Sequence, residues 1–177
     1  VYKELVDYMF GLVFSGKAHF HVIIANFSNY KHNATPGEGR ETSVNRMYYQ
    51  LLLHKLAKFY GKMADIHVQL DHGNDSQDIC KMRNQVCANA YFKYQCKPNC
   101  IKSITSICSK KSEIIQASDV VIGSIAGLVN GFDEKSAKKE LAEYIMKAAK
   151  ISTWRKSTPK DERSLTVWWH VTKESQP

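Results

Sequence analysis

In the segment ADIHVQLD, residues 64 to 71, apolar and polar residues alternate without a break. Ile66, Val68 and Leu70 face one way; His67, Gln69 and Asp71 face the other. Period two is the signature of a strand with one buried face. Helical patterns flank it on both sides. Upstream, Val44, Met47, Tyr48, Leu51, Leu52, Leu56 and Phe59 form an apolar stripe, with Thr42 or Ser43 placed to cap the helix and Gly61 to stop it near Tyr60. Downstream, QDICKMRNQVCANAYFKYQ reads as a helix with Ile79, Met82, Val86, Ala90 and Phe92 or Lys93 toward the inside, ended by CKPNC. Strands that alternate with helices pair partly in parallel, so the expected class is α/β.

The rest of the chain continues the pattern. VYKELVDYMFGLVF has helical spacing at Leu5, Tyr8, Met9 and Leu12 and is broken at Ser15-Gly16. AHFHVIIANFS is rich in β-branched and aromatic residues and reads as a strand, followed by the loop NYKHNATPGEG. IKSITSICS is a further strand. An amphipathic helix runs from about Glu134 to Lys150 with Leu141, Tyr144, Ile145 and Ala148 inward, and LTVWWHV closes the set as a strand. With no repeat, low-complexity tract or Pro/Gly linker, residues 1–177 are expected to form one domain.

The formal net charge is +8. A basic balance favours polyanionic partners, nucleic acid first, DNA or RNA alike. The five cysteines, Cys80, Cys87, Cys96, Cys100 and Cys108, are an odd set without a secretory signal pattern. The expectation is reduced thiols and a cytoplasmic location. Cys96 and Cys100 in CKPNC lack a second ligand pair for a structural zinc. No membrane partner is expected: the most apolar stretch, residues 113 to 129, carries Gln116 and Asp119, which argues for a core helix instead.

That stretch holds the chemistry. Ser112, Gln116, Asp119 and Gly123 are spaced four, three and four apart and share one helix face. Most other residues from Ile114 to Val129 are apolar or small. A helix apolar around most of its circumference belongs in a core, so the stripe is expected to face a polar pocket, with Gly123 and Gly127 allowing close approach. Asp71 is a second acid, at the carboxyl end of a strand, where ligand sites of open α/β sheets lie. Two such acids are placed to share a hard divalent cation. A pair of cations about 3.5–4 Å apart clamps a phosphodiester, one activating water and one steadying the leaving oxygen. The alternative is that Asp119 pairs with a basic side chain and Asp71 merely precedes a turn.

ADIHVQLDHGNDS followed by SICSKKSEIIQASDVVIGSIAG resembles the prokaryotic family called domain of unknown function 3800. The most specific part is the helix motif Ile115-Gln116-Ala117-Ser118-Asp119-Val120-Val121-Ile122-Gly123. FHVIIA, the helix around Tyr48 and Tyr49, and LTVWWHV are also similar to that family. The resemblance implies a ribonuclease H-like mixed central sheet flanked by helices and a metal-dependent nuclease using Mg²⁺ or Mn²⁺. It implies Asp71 and Asp119 as metal ligands, in a phage-defence or mobile-element setting. The family opens with a strand reading roughly Asp-Glu-Ser-Gly that supplies the central ligand. Here HVIIANF carries no acid and the chain begins at Val1 rather than Met, so the expectation is an N-terminally incomplete domain. Cys108 stands where the family often has an acid.

Two functions follow: a two-metal phosphodiesterase on nucleic acid, or a non-catalytic nucleic-acid-binding or assembly module of the same fold. In the first, Asp71 and Asp119 hold metal, Gln116 orients a ligand or water, and Lys110 or Lys111 contacts phosphate. Lesser candidates each have a structural alternative. Glu41 is a further carboxylate or a favourable helix-start charge. His72 is a proton shuttle or an idle turn residue. His67 and Gln69 share Asp71's face or are satisfied by neighbours. Trp154, Trp168 and Trp169 stack bases or pack the core.

Overall fold

The computed structural model describes residues 1–25, 40–71, 79–131 and 137–170, with side chains of the second helix from Ser43 onward. In chain order the elements are α1 (Tyr2–Phe14), β1 (Phe20–Ala25), α2 (Arg40–Leu51), a π-helical segment (Leu52–Ala57), α3 (Lys58–Tyr60), β2 (Ile66–Asp71), α4 (Ile79–Tyr94), β3 (Ile101–Ile107), α5 (Glu113–Asn130), α6 (Ala137–Ala148) and β4 (Leu165–His170). The class is α/β, as the alternation implied. The described strands form two two-stranded parallel sheets, β1–β4 and β2–β3. The chain divides into two compact units, Val1–Ala25 with Glu113–Val171, and Asn26–Ser112 with Thr172–Pro177.

In the first unit, α1, α5 and α6 accompany the β1–β4 ladder. Its core gathers Val6, Phe10, Val13, Val22, Val121, Ile125, Ile145, Trp154, Leu165 and Val167. Each such side chain contributes about 1.5–3 kcal/mol by leaving water. The apolar stripe of α1 is rotated from the expected one. Val6, Phe10 and Val13 are buried, Leu5, Met9 and Leu12 flank them, and Tyr8 is exposed. Both stripes have helical spacing, so packing and not periodicity selects between them. Gly16, at φ +72°, turns the chain out of α1, a conformation that needs no Cβ. The outer edge of β4 is covered by side chains: Trp169 N donates to Ser157 Oγ at 3.0 Å and Val167 N to Thr158 Oγ1 at 3.2 Å. These bonds occupy backbone groups that a bare edge would offer to another strand.

In the second unit, α4 joins β2 to β3 in one parallel crossover and packs on β3 and on the π segment. Leu52, Leu53, Ala57, Ile66, Val68, Leu70, Met82, Val86, Ala90 and Ile101 form the core. β2 alternates as its sequence does, with Ile66, Val68 and Leu70 buried and His67, Gln69 and Asp71 exposed. α4 buries Met82, Val86 and Ala90 as expected, and also Cys87; Phe92 and Lys93, expected toward the inside, are exposed. The helix expected to begin at Thr42 or Ser43 begins at Arg40 and runs to Tyr60, but its hydrogen bonding slips to the π pattern over Leu52–Ala57. The slip alters helical phase, and Lys55 becomes buried with its Nζ 5.5 Å from the Phe59 ring centroid. Gly61 caps the run where there is no room for a side chain. A Cβ on Gly61 would stand 2.7 Å from Ala57 O and 2.9 Å from Cys96 Sγ.

Candidate functional site

Parallel pairing puts the carboxyl ends of β2 and β3 at one sheet edge. Asp71 ends β2 and lies opposite Ile107, the last residue of β3. Cys108 follows, then the tight turn Ser109–Lys111, in which Lys111 N donates to Cys108 O at 2.8 Å and Ser112 N to Ser109 O at 3.1 Å. Asp71, Lys110 and Lys111 are all exposed. One carboxylate and two ammonium groups therefore share the edge where open α/β sheets bind ligands. On the same outward face of β2, His67 Nδ1 is hydrogen-bonded to Ser103 Oγ at 2.9 Å, so this histidine has the neighbour the sequence allowed for. His72 lies outside the described residues. The backbone of Glu41 belongs to the first turn of α2, but its side chain is likewise outside them.

α5 corrects one expectation. The stripe Ser112, Gln116, Asp119 and Gly123 was expected to face a polar pocket from a buried helix. Instead Gln116, Asp119 and Gly123 are exposed, and the helix buries Val121, Ser124, Ile125 and Gly127. An exposed carboxylate keeps its hydration, so the desolvation cost that made Asp119 conspicuous in the sequence does not arise. Nothing approaches the Cβ position of Gly123 within 4 Å, whereas one at Gly127 would meet Lys138 Cβ of α6 at 4.0 Å. Of these two glycines only Gly127 has a neighbouring element within 4 Å, and that at ordinary van der Waals contact. The exposed side of α5 also carries Ile114, 79% accessible, and Ile122, 49% accessible. By length and composition α5 is apolar enough to cross a membrane.

Asp71, Lys110 and Lys111 thus belong to the second unit, Gln116 and Asp119 to the first. Among the described residues, no three His, Cys, Asp or Glu side chains gather as a ligand set for a metal ion. The described acids therefore do not by themselves fit a two-metal cluster, which requires three or four carboxylates. Of the tryptophans, Trp154 is buried in the first core, and its Nε1 has no hydrogen-bond partner among the described residues. Trp168 and Trp169 are half-buried on β4.

Sequence reasoning missed one titratable cluster. His54 sits in the π segment with Nδ1 hydrogen-bonded to Tyr94 Oη at 2.5 Å. Burial pushes its pKa below 6.5, and the positive charges of Lys93, Lys58 and Lys55 push the same way. Burial raises Tyr94 above its ordinary value, with Cys96 adding to the effect. The signal in the sequence was a histidine among lysines, but its partner lies 40 residues away. No family model, curated protein or solved structure matches the chain.

Proposed function

We propose that the protein acts on nucleic acid as a metal-dependent phosphodiesterase of ribonuclease H-like type that depends on the acids Asp71 and Asp119. The observation that carries this reading is the β2–β3 edge, where Asp71 stands at the carboxyl end of a parallel strand with Lys110 and Lys111 on the adjoining turn. A carboxylate suits a hard cation, and ammonium groups suit the phosphates of the same substrate. The motif around Gln116 and Asp119 and the net charge of +8 support the same substrate class. Further acids must complete the metal site, since the described residues do not.

The test is cleavage of labelled single- and double-stranded DNA and RNA with Mg²⁺ or Mn²⁺. Cleavage is expected to require the metal and to fall to background in Asp71→Asn and in Asp119→Asn, with binding retained. Lys110→Ala and Lys111→Ala are expected to flatten the salt dependence of binding, by about one unit of slope for each phosphate that is no longer neutralised. Unchanged cleavage in Asp119→Asn sinks its assignment. Tight binding without cleavage under any metal supports instead a binding or assembly module.

A further inference from the structure

Three of the five thiols meet inside the second unit. Cys87 on α4, Cys96 just beyond it and Cys100 just before β3 are all buried and free, whereas Cys80 and Cys108 are exposed. All three buried thiols pack in one hydrophobic cluster, and Cys100 immediately precedes Ile101, whose carbonyl Cys87 approaches. The chain reaches this arrangement through a tight reversal at Pro98-Asn99, where Asn99 takes φ +54°. The two outer thiols meet the backbone differently. Cys96 Sγ donates to Ala57 O at 3.2 Å and abuts Gly61. Cys87 Sγ reaches Ile101 O at a longer 3.7 Å.

Cys87 lines a pocket. That pocket is open, about 310 Å³ in volume, and formed by Asn84, Cys87, Ala88, Tyr91, Pro98 and Asn99. Its size is at the lower end of small-molecule sites. Two carboxamides and a phenol around an apolar floor offer hydrogen bonds to a peptide-like ligand, with a thiol in the wall. We propose that Cys87 is a modification site for low-molecular-weight disulfides of the glutathione class, and that Cys100 resolves the adduct into an internal Cys87–Cys100 disulfide.

The chemistry is thiol–disulfide exchange. The Cys87 thiolate attacks one sulfur of the small disulfide. A bond from Cys87 to that sulfur forms, the original S–S bond breaks, and the departing thiolate takes up the proton that Cys87 released. The Cys100 thiolate then attacks the Cys87 sulfur. The Cys87–Cys100 bond forms, the bond to the small molecule breaks, and the second thiolate leaves and takes the proton from Cys100. Two protein thiols are oxidised and one small disulfide is reduced to two thiols.

Burial pushes the Cys100 thiol up to about 11, with Cys87 and Cys96 reinforcing the shift and the Ile101 backbone opposing it. Cys96 is itself raised by burial against the opposing charge of Lys62. The second step is therefore slow near neutrality, and its rate rises about tenfold per pH unit below that value, in step with the thiolate fraction.

The experiment uses the full chain with Cys80→Ser and Cys108→Ser, treated with oxidised glutathione and followed by intact mass and peptide mapping. A glutathionyl adduct on Cys87 is expected first, then its replacement by a Cys87–Cys100 crosslink that forms faster at higher pH. In Cys100→Ser or Cys100→Ala the adduct should persist. Ala88→Trp, an exposed change at the pocket mouth, should slow adduct formation about tenfold, as access limits exchange. The proposal is overturned if Cys87 in the folded chain stays unmodified. It is equally overturned if mild urea accelerates the reaction while Ala88→Trp leaves it unchanged, which marks attack on unfolded chain. A crosslink mapped to Cys96–Cys100 also overturns it.

Discussion

Each parallel ladder places a histidine directly opposite a hydroxyl residue. In β1–β4, His21 faces Thr166 and its Nδ1 is 2.8 Å from Thr166 Oγ1. In β2–β3, His67 faces Ser103 at 2.9 Å. The bonds are nearly the same, but their surroundings differ. Thr166 has no exposed surface, while His67 is exposed. The comparison separates a hydrogen bond's geometry from its worth, because only the buried pair leaves a group without water when broken. The ladders differ in reach as well. His67 and Ser103 are 36 residues apart across a single helix, His21 and Thr166 are 145 apart.

The largest test of this contrast lies in the cores. Trp154, the largest fully buried side chain, belongs to the unit of the long-range ladder. Trp154→Ala is expected to cost about 3–5 kcal/mol in urea unfolding, through the cavity it leaves. Trp154→Phe should cost less, since it also removes an indole N–H that has no partner among the described residues. An equal cost for both would contradict the packing described. Next in size are the cross-strand pairs. Thr166→Val should cost about 1–3 kcal/mol, whereas Ser103→Ala should stay within about 0.5 kcal/mol. Equal losses would show that burial does not set the difference.

The smallest expected effect is a pH dependence confined to the second unit. The folded-state pKa of His54 is lowered from 6.5, so the unfolded chain binds more protons in that window. Stability is full above the unfolded value and falls as pH drops below it. His54→Gln should flatten this part of the stability curve, measured by unfolding at stepped pH. A variant curve as steep as the wild type would remove His54 as the cause.

The local ladder was legible because its signals are local. Ile66 to Asp71 alternate in sequence and in burial alike, and Met82, Val86 and Ala90 define the inner face of the crossover helix. The same reading placed Asp71 at a strand's carboxyl end, and the parallel register of β2 and β3 adds the lysine turn beside it. Where a helix offers two apolar faces, spacing could not choose between them. α1 packs through Val6 and Phe10 instead of Leu5 and Tyr8, and α5 turns Asp119 and Ile114 outward. The partner that decides such a rotation is distant in sequence. The slip to π hydrogen bonding left no mark in side-chain spacing, so the burial of Lys55 and the setting of His54 went unforeseen. The His54–Tyr94 contact likewise joins residues that no motif connects, and CKPNC pairs Cys96 with Cys100 but gives no sign of Cys87 beside them.

The reach of the β1–β4 ladder has a consequence in time. On a ribosome that emits about 5–20 residues per second, β2 meets β3 within seconds of its own emergence. FHVIIA must wait for a partner 145 positions later, and the whole of Asn26–Ser112 appears in between. For that interval an apolar, β-prone hexapeptide stands without its ladder, the form in which nascent chains are most exposed to mispairing and to chaperone capture.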